Sequence, residues 1–539
     1  MSVFESYRLK SPIVLPKALR ASSFEAVYEK DIQIGEQVAS QFAHLRSCHV
    51  HRLVATSGQV EPLRVGVVLS GGQAPGGHNV IAGIFDTLAP GSLLVGFLGG
   101  LKGLIFNTYK ELGPDEIDAV RNIGGFHLLG SGRTKIDSLD EIERAMRTID
   151  EHRLDGLVII GGDDSNTDAA YLAEAIEASG RKTVVVGVPK TIDGDLRGPD
   201  VPISFGFDTA CKTYSSIIGN ISRDLISSKK YYHFIRLMGR QASHITLECA
   251  LQTQPNLAFI SEEVREKSVH EVVCEIADLV ESRAEQGLHY GLVLVPEGLI
   301  EHMLDMRQLI EELNELFAPE HELAALFNEA LIPSERIDLV RAYLSEKARR
   351  CLALFPRHIA EALVYERDPH GNVQVSRIET ERLLAHLVSR ELQTRRRKKE
   401  VPFAWQSVFL GYEGRSAYPS YFDCHYGYCL GKLSAILVAN DMNGYMASLA
   451  NVHKEVEAWE PIAVPLVSLM HVERRLGKEK AVIRKEAVDL SGEVFSLFEQ
   501  RRRHWRVQDS YLHPGPIQFQ GPDEVVKSPC FSIVASVAS

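Results

Sequence analysis

Four carboxylates and a lysine fall in two short clusters, Gly161-Gly162-Asp163-Asp164-Ser165 and Pro189-Lys190-Thr191-Ile192-Asp193-Gly194-Asp195. The apolar runs Leu157–Ile160 and Thr183–Val188 lead straight into them and predict two strands. If those strands are parallel neighbours, both clusters sit at their carboxyl ends, where open α/β sheets hold ligands. Carboxylate oxygens suit Mg2+. A lysine beside them suits charge developing on a transferring phosphoryl group. These residue types fit Mg2+-assisted phosphoryl transfer.

Within the first cluster, Asp163 can reach a Mg2+ that bridges phosphate oxygens. Asp and Ser also cap helices, but two adjacent acids after Gly-Gly exceed what a cap requires. In the second, Asp193 and Asp195 stand two residues apart, so an extended chain points them the same way. One could take a proton from a hydroxyl while the other supports the phosphate. Taken alone, this cluster fits an acidic turn without a ligand equally well; beside the first, the functional reading is the stronger. A third stretch, Ser70-Gly71-Gly72-Gln73-Ala74-Pro75-Gly76-Gly77, joins a strand to a helix. Its glycines let backbone N–H groups approach an anion, and a purely structural turn explains them as well.

These clusters need a frame of alternating strands and helices. Strands are expected at Arg64–Leu69, Leu93–Leu98, Leu157–Ile160 and Thr183–Val188, with helices at His78–Leu88, Ser138–His152 and Asp168–Ala178. This βαβ repetition implies a mainly parallel sheet with helices on both faces. Strands at His233–Leu237 and Tyr290–Val295 and a helix at Val269–Arg283 predict a second α/β unit. The fold class expected is therefore two doubly wound α/β domains with mainly parallel sheets, a helical insertion and an N-terminal extension.

The boundaries read from the pattern are a mixed, partly helical extension over 1–60 and a first α/β domain over 61–207. A second α/β domain follows over 208–301, then a charged, Leu-rich helical insertion over 302–398. The chain returns to the α/β domains over 399–480, with a strand at Ser407–Leu410 and a buried helix at Cys429–Asn440, and a C-terminal segment fills 481–539.

The 539 residues exceed a single core. A net charge of −12 argues against a nucleic-acid binder. No stretch approaches a membrane span, and the N-terminus lacks a signal-peptide core. The eight cysteines form no CxxC pair and read as reduced thiols of a cytoplasmic protein. The basic runs Arg395–Lys399 and Arg501–Arg503 read as solvated faces.

At this point the chain resembles the phosphofructokinase family, over about 64–300 and 405–450. The motifs are GGQAPGG at 71–77, GGDDS at 161–165, PKTIDGD at 189–195, MGR at 238–240, PEG at 296–298 and GYEGR at 411–415. The resemblance implies Asp193 as the base for the sugar 1-hydroxyl and Thr191 as an orienting group. It implies Asp163 as the Mg2+ ligand and Gly71 in the phosphate-donor loop. Met238, Gly239, Arg240, Glu297, Tyr412 and Arg415 would bind fructose 6-phosphate. Lys230 and Tyr231 would reach the substrate of a neighbouring subunit, which requires at least a homodimer.

Two departures from the ATP-dependent pattern, Asp164 and Lys190 where ATP users have glycine, are similar to the pyrophosphate-dependent branch. Asp164 would repel the α-phosphate of a nucleotide, and Lys190 would hold the end of pyrophosphate. Tyr231 replaces an arginine of the ATP enzymes, and Tyr412 a histidine. The activity implied is reversible, Mg2+-dependent phosphoryl transfer from pyrophosphate to fructose 6-phosphate. The alternatives are an ATP-dependent 6-phosphofructokinase and a catalytically silent regulatory subunit. Asp163, Lys190 and Asp193 are all present, which weighs against the silent subunit.

Overall fold

Val65–Leu69, Gly156–Gly161 and Val184–Pro189 are buried at every position. Uninterrupted apolar runs of this kind belong to central parallel strands covered on both faces. The structure is a computed structural model that describes residues 3–45, 49–136, 138–317, 333–366, 373, 378–395, 401–475, 478–516 and 523–535. The chain divides into two units, one of Met1–Tyr214, Tyr412–Glu486 and Gly515–Ser539, the other of Ser215–Gly411 and Ala487–Pro514.

The first unit contains β1 (Ser23–Asp31), β2 (His49–Thr56), β3 (Arg64–Leu69), β4 (Leu93–Phe97), β5 (Tyr109–Glu111), β6 (Gly156–Gly161) and β7 (Val184–Pro189). The second contains β8 (Tyr232–Leu237), β9 (Leu257–Ala258), β10 (Gly291–Pro296) and β11 (Trp405–Leu410). The first unit then gains β12 (Tyr445–Ala450), β13 (Glu460–Pro465) and a hairpin of β14 (Met470–Arg475) and β15 (Lys478–Ile483).

The sheet of the first unit runs β1-β2-β13-β12-β7-β6-β3-β4-β5. Its centre, from β12 to β4, is parallel, and the flanking pairs are antiparallel. Strand β3 has β4 on one side and β6 on the other, so the order reverses there. Ligands of open α/β sheets bind at such a switch point, beyond the carboxyl ends of the strands. Leu69 pairs with Ile160, and Gly161 with Pro189. The three polar loops therefore leave the sheet level with one another.

The second unit has a four-stranded parallel sheet, β11-β8-β10-β9. Its core joins Phe234, Val293 and Val295 of the strands to Leu309, Leu352, Leu363 and Val388 of helices that follow β10. Those helices include Leu304–Leu316, Glu346–Leu354, Arg357–Tyr365 and Thr380–Arg395.

Several expectations are corrected. The extension ahead of β3 supplies two strands as well as the helix Val3–Lys10, and they extend the main sheet through β2 and β13. The helix expected from Asp168 starts at Asp163, because its polar first turn hides the apolar period. The buried helix begins at Tyr421, well before Cys429. Of the basic runs, Arg395 is ion-paired to Asp278, Glu281 and Glu391, and Arg502 to Glu263, so neither is simply solvated. Residues 396–399 and Cys48 lie outside the described residues. The seven described cysteines are free thiols, all buried except the half-buried Cys274. Among the described residues no helix is long and apolar enough to cross a membrane.

Candidate active site

The ends of β6 and β7 are tied together before any side chain of the site is placed. The Lys190 N–H donates to the Gly161 carbonyl at 2.9 Å. The Asn166 amide donates to the carbonyls of Gly161, Gly162 and Val188 at 2.7, 2.9 and 3.3 Å. Asp163 and Asp164 occupy the first turn of the helix Asp163–Ala178, where the positive end of the dipole favours carboxylates.

Lys190 is only 5% exposed. Its Nζ donates to the Gly72 carbonyl at 2.7 Å and lies 5.6 Å from the centre of the Phe126 ring. Burial and then the Arg415 charge bring the amine down to about 8, against the pull of Asp193, Asp163 and Asp195. Gly71 has φ +83°, and a Cβ there would stand 3.2 Å from Lys190 Nζ. A Cβ on Gly72 would run into the Arg415 guanidinium. The glycines thus leave the room that two cations occupy.

Burial raises the Asp193 carboxyl, opposed by Arg415, Lys190 and Lys485. Its Oδ1 is enclosed without a hydrogen-bond partner, and its N–H donates to Thr191 Oγ1 at 3.0 Å. Asp195 is pushed up to about 7 by burial first, then by Asp193 and Asp163. The two carboxylates do not come together through extended chain. Gly194 has φ +73°, and the segment turns there.

Two lysines escaped the sequence reading. Lys485 Nζ stands 3.1 Å from Asp163 Oδ2, and Lys135 Nζ stands 3.1 Å from Asp164 Oδ2. Burial alone would lower Lys485, but Asp163, Asp195 and Asp164 raise it overall. Neither lysine sits in a motif; only the fold places them. The site in the first unit thus sets Lys135, Lys190, Lys485 and Arg415 against Asp163, Asp164, Asp193 and Asp195. Carboxylate oxygens, among them the buried and unpartnered Asp193 Oδ1, fit a Mg2+ ion, and Asp163 is one residue that could hold it.

In the second unit Met238, Gly239 and Arg240 leave β8, and Glu297 leaves β10 beside it. The Glu297 N–H donates to the Leu237 carbonyl at 2.8 Å, and Gly239 has φ +110°. A Cβ on Gly298 would strike the Arg240 carbonyl, so the two loops interlock. Arg240 pairs with Glu301 at 2.9 Å. Lys230 and Tyr231 precede β8 and so lie at its other end, roughly 20 Å away at the usual rise per residue. Within the unit the structure does not bring them to Met238–Arg240. In the first unit Tyr412 is 74% exposed, whereas Arg415 lies against Gly72.

Residues 64–436 match the family described as Phosphofructokinase. The chain is 49% identical over 485 residues to the pyrophosphate–fructose 6-phosphate 1-phosphotransferase of Treponema pallidum, covering 89% of this chain and 84% of that one. With the protein of the same name from Porphyromonas gingivalis, identity is 45% over 540 residues, covering 98% and 97%. The crystal structure of a pyrophosphate-dependent phosphofructokinase from Nitrosospira multiformis superposes with a TM-score of 0.54 at 15% identity. It covers 87% of this chain and 97% of the other, and it speaks to the fold alone.

Proposed function

The chain belongs to the phosphofructokinase family, and from that premise we propose how its residues carry the reaction named for its relatives. It is an enzyme that reversibly transfers a phosphoryl group from pyrophosphate to the 1-hydroxyl of fructose 6-phosphate, giving fructose 1,6-bisphosphate and phosphate. The observation that carries the donor assignment is the buried Lys190 amine on the Gly72 carbonyl, with acidic Asp164 on the adjacent helix turn.

Asp193 removes the proton of the 1-hydroxyl, and its raised affinity for protons suits that task. The sugar oxygen then bonds to phosphorus as the P–O–P bridge breaks, and orthophosphate leaves. In reverse, Asp193 returns the proton. Lys190 steadies charge on the transferring group and the departing phosphate. Thr191, whose hydroxyl accepts the Asp193 N–H, keeps the base in place. Gly71 allows the donor to approach its backbone. Asp163 would hold Mg2+, which neutralises negative charge on the donor oxygens. Asp164, fixed by Lys135, would exclude the α-phosphate of a nucleotide by bulk and repulsion.

Met238, Gly239, Arg240, Glu297, Tyr412 and Arg415 are assigned to fructose 6-phosphate. Lys230 and Tyr231, at the far end of β8, are assigned to a neighbouring subunit's substrate, which makes the enzyme at least a homodimer. The free thiols support a reducing, cytoplasmic location. Incubation with pyrophosphate, fructose 6-phosphate and Mg2+ should yield fructose 1,6-bisphosphate and orthophosphate in equal amounts. Fructose 1,6-bisphosphate with orthophosphate and Mg2+ should regenerate pyrophosphate and fructose 6-phosphate. Absence of both reactions would refute the assignment.

A further inference from the structure

Lys485 has no part in the chemistry assigned to the other site residues, although the chain on either side of it is tied to the helix that begins at Asp163 and to Asp195. The Ile483 N–H donates to Thr167 Oγ1 at 3.0 Å, on the helix that begins at Asp163. The Glu486 N–H donates to the Asp195 carbonyl at 2.8 Å. The β14–β15 hairpin ends at Ile483, so it delivers a short strap that places Lys485 between the clusters. Its Nζ then pairs with Asp163 at 3.1 Å.

We propose that Lys485 is an additional donor-binding residue, which holds Asp163 in the resting enzyme and transfers to a pyrophosphate oxygen when a divalent cation takes Asp163. The proposal rests on the pyrophosphate reading and deepens it. An ammonium and a divalent cation on one carboxylate repel each other strongly at such distances, so the lysine must yield. Its backbone is fixed, but the four-carbon stem lets the ammonium swing to a new partner. Asp163, Asp164 and Asp195 all attract it in the resting state. The donor brings in the new anionic oxygens that replace them.

A structural lysine and an exchanging one differ in sign. Lys485→Met removes a competitor for Asp163, so Mn2+ binding to the protein without donor, followed by electron paramagnetic resonance, should tighten severalfold. The same variant loses a charge-assisted contact, so its KM for pyrophosphate should rise roughly 10-fold or more. Lys485→Gln should behave likewise, and Lys485→Arg should recover most of the pyrophosphate affinity. The strap bonds use backbone N–H groups, so thermal unfolding of all three should match the parent. Mn2+ and pyrophosphate binding that weaken together, or that both stay unchanged, would overturn the proposal while leaving the donor assignment intact. A parent enzyme inactive with pyrophosphate would overturn both.

Discussion

Lys190 and Asp193 work under the same burial, which penalises the charge of each. Burial brings the Lys190 amine to about 8 from its ordinary 10.5 and raises the Asp193 carboxyl. As pH rises through about 8, Lys190 loses its proton and with it the charge proposed to steady the transferring group, so kcat/KM for pyrophosphate should fall on the alkaline side. Lys190→Arg keeps its charge far above that pH, and the fall should disappear from its profile; an unchanged alkaline limb would reject the role. The folded enzyme binds fewer protons at Lys190 than the unfolded chain between about 8 and 10.5. Through this group alone, stability therefore rises with pH across that window. Burial raises both Asp193 and Asp195, and the Asp193 charge raises Asp195 further, so the acid limb should report both groups. Asp193→Ala should cut turnover by at least ~10²-fold, the lower end of general-base effects, with substrate binding largely kept. Near-parental turnover would exclude it as the base. The sequence disclosed these residues because their chemistry is packed into two local clusters. Lys485 and Lys135 stayed hidden because they reach the same carboxylates from unrelated stretches of chain.

At the scale of elements, one packing contact sets where the glycine-rich loop ends. The helix Gly77–Thr87 begins directly after Gly76 and crosses the buried helix Tyr421–Ala439. A Cβ on Gly83 would run into the Tyr428 carbonyl, and one on Gly431 into the Val80 carbonyl. Backbone cannot yield as a side chain can, so Gly431→Val should destabilise by about 1–3 kcal/mol or more. Chemical denaturation should show it as a lower midpoint, and an unchanged midpoint would contradict the close crossing. The central strands were legible from their continuous apolar runs, and the helices from their period. The start of the helix at Asp163 was not, because its first turn carries polar residues of the site. Strands β1 and β2 were obscured by mostly exposed positions on β1, which leave no buried alternation to read.

Across the whole molecule, a net charge of −12 coexists with a site that gathers four cations around the donor loop and acidic clusters. The bulk charge therefore says little about the ligand; the local field selects it. In the proposed function Asp164 and Lys190 choose between donors, one by repulsion and the other by attraction. Asp164→Gly should accordingly raise the efficiency with ATP relative to pyrophosphate, and an unchanged ratio would remove Asp164 as the gate. The most direct test compares initial rates of fructose 1,6-bisphosphate formation by the parent enzyme with pyrophosphate and with ATP, at equal free Mg2+ and saturating fructose 6-phosphate. Selection by Asp164 and Lys190 together should give a kcat/KM with pyrophosphate at least roughly 100-fold above that with ATP, a difference of about 3 kcal/mol. Equal efficiencies, or a preference for ATP, would contradict it.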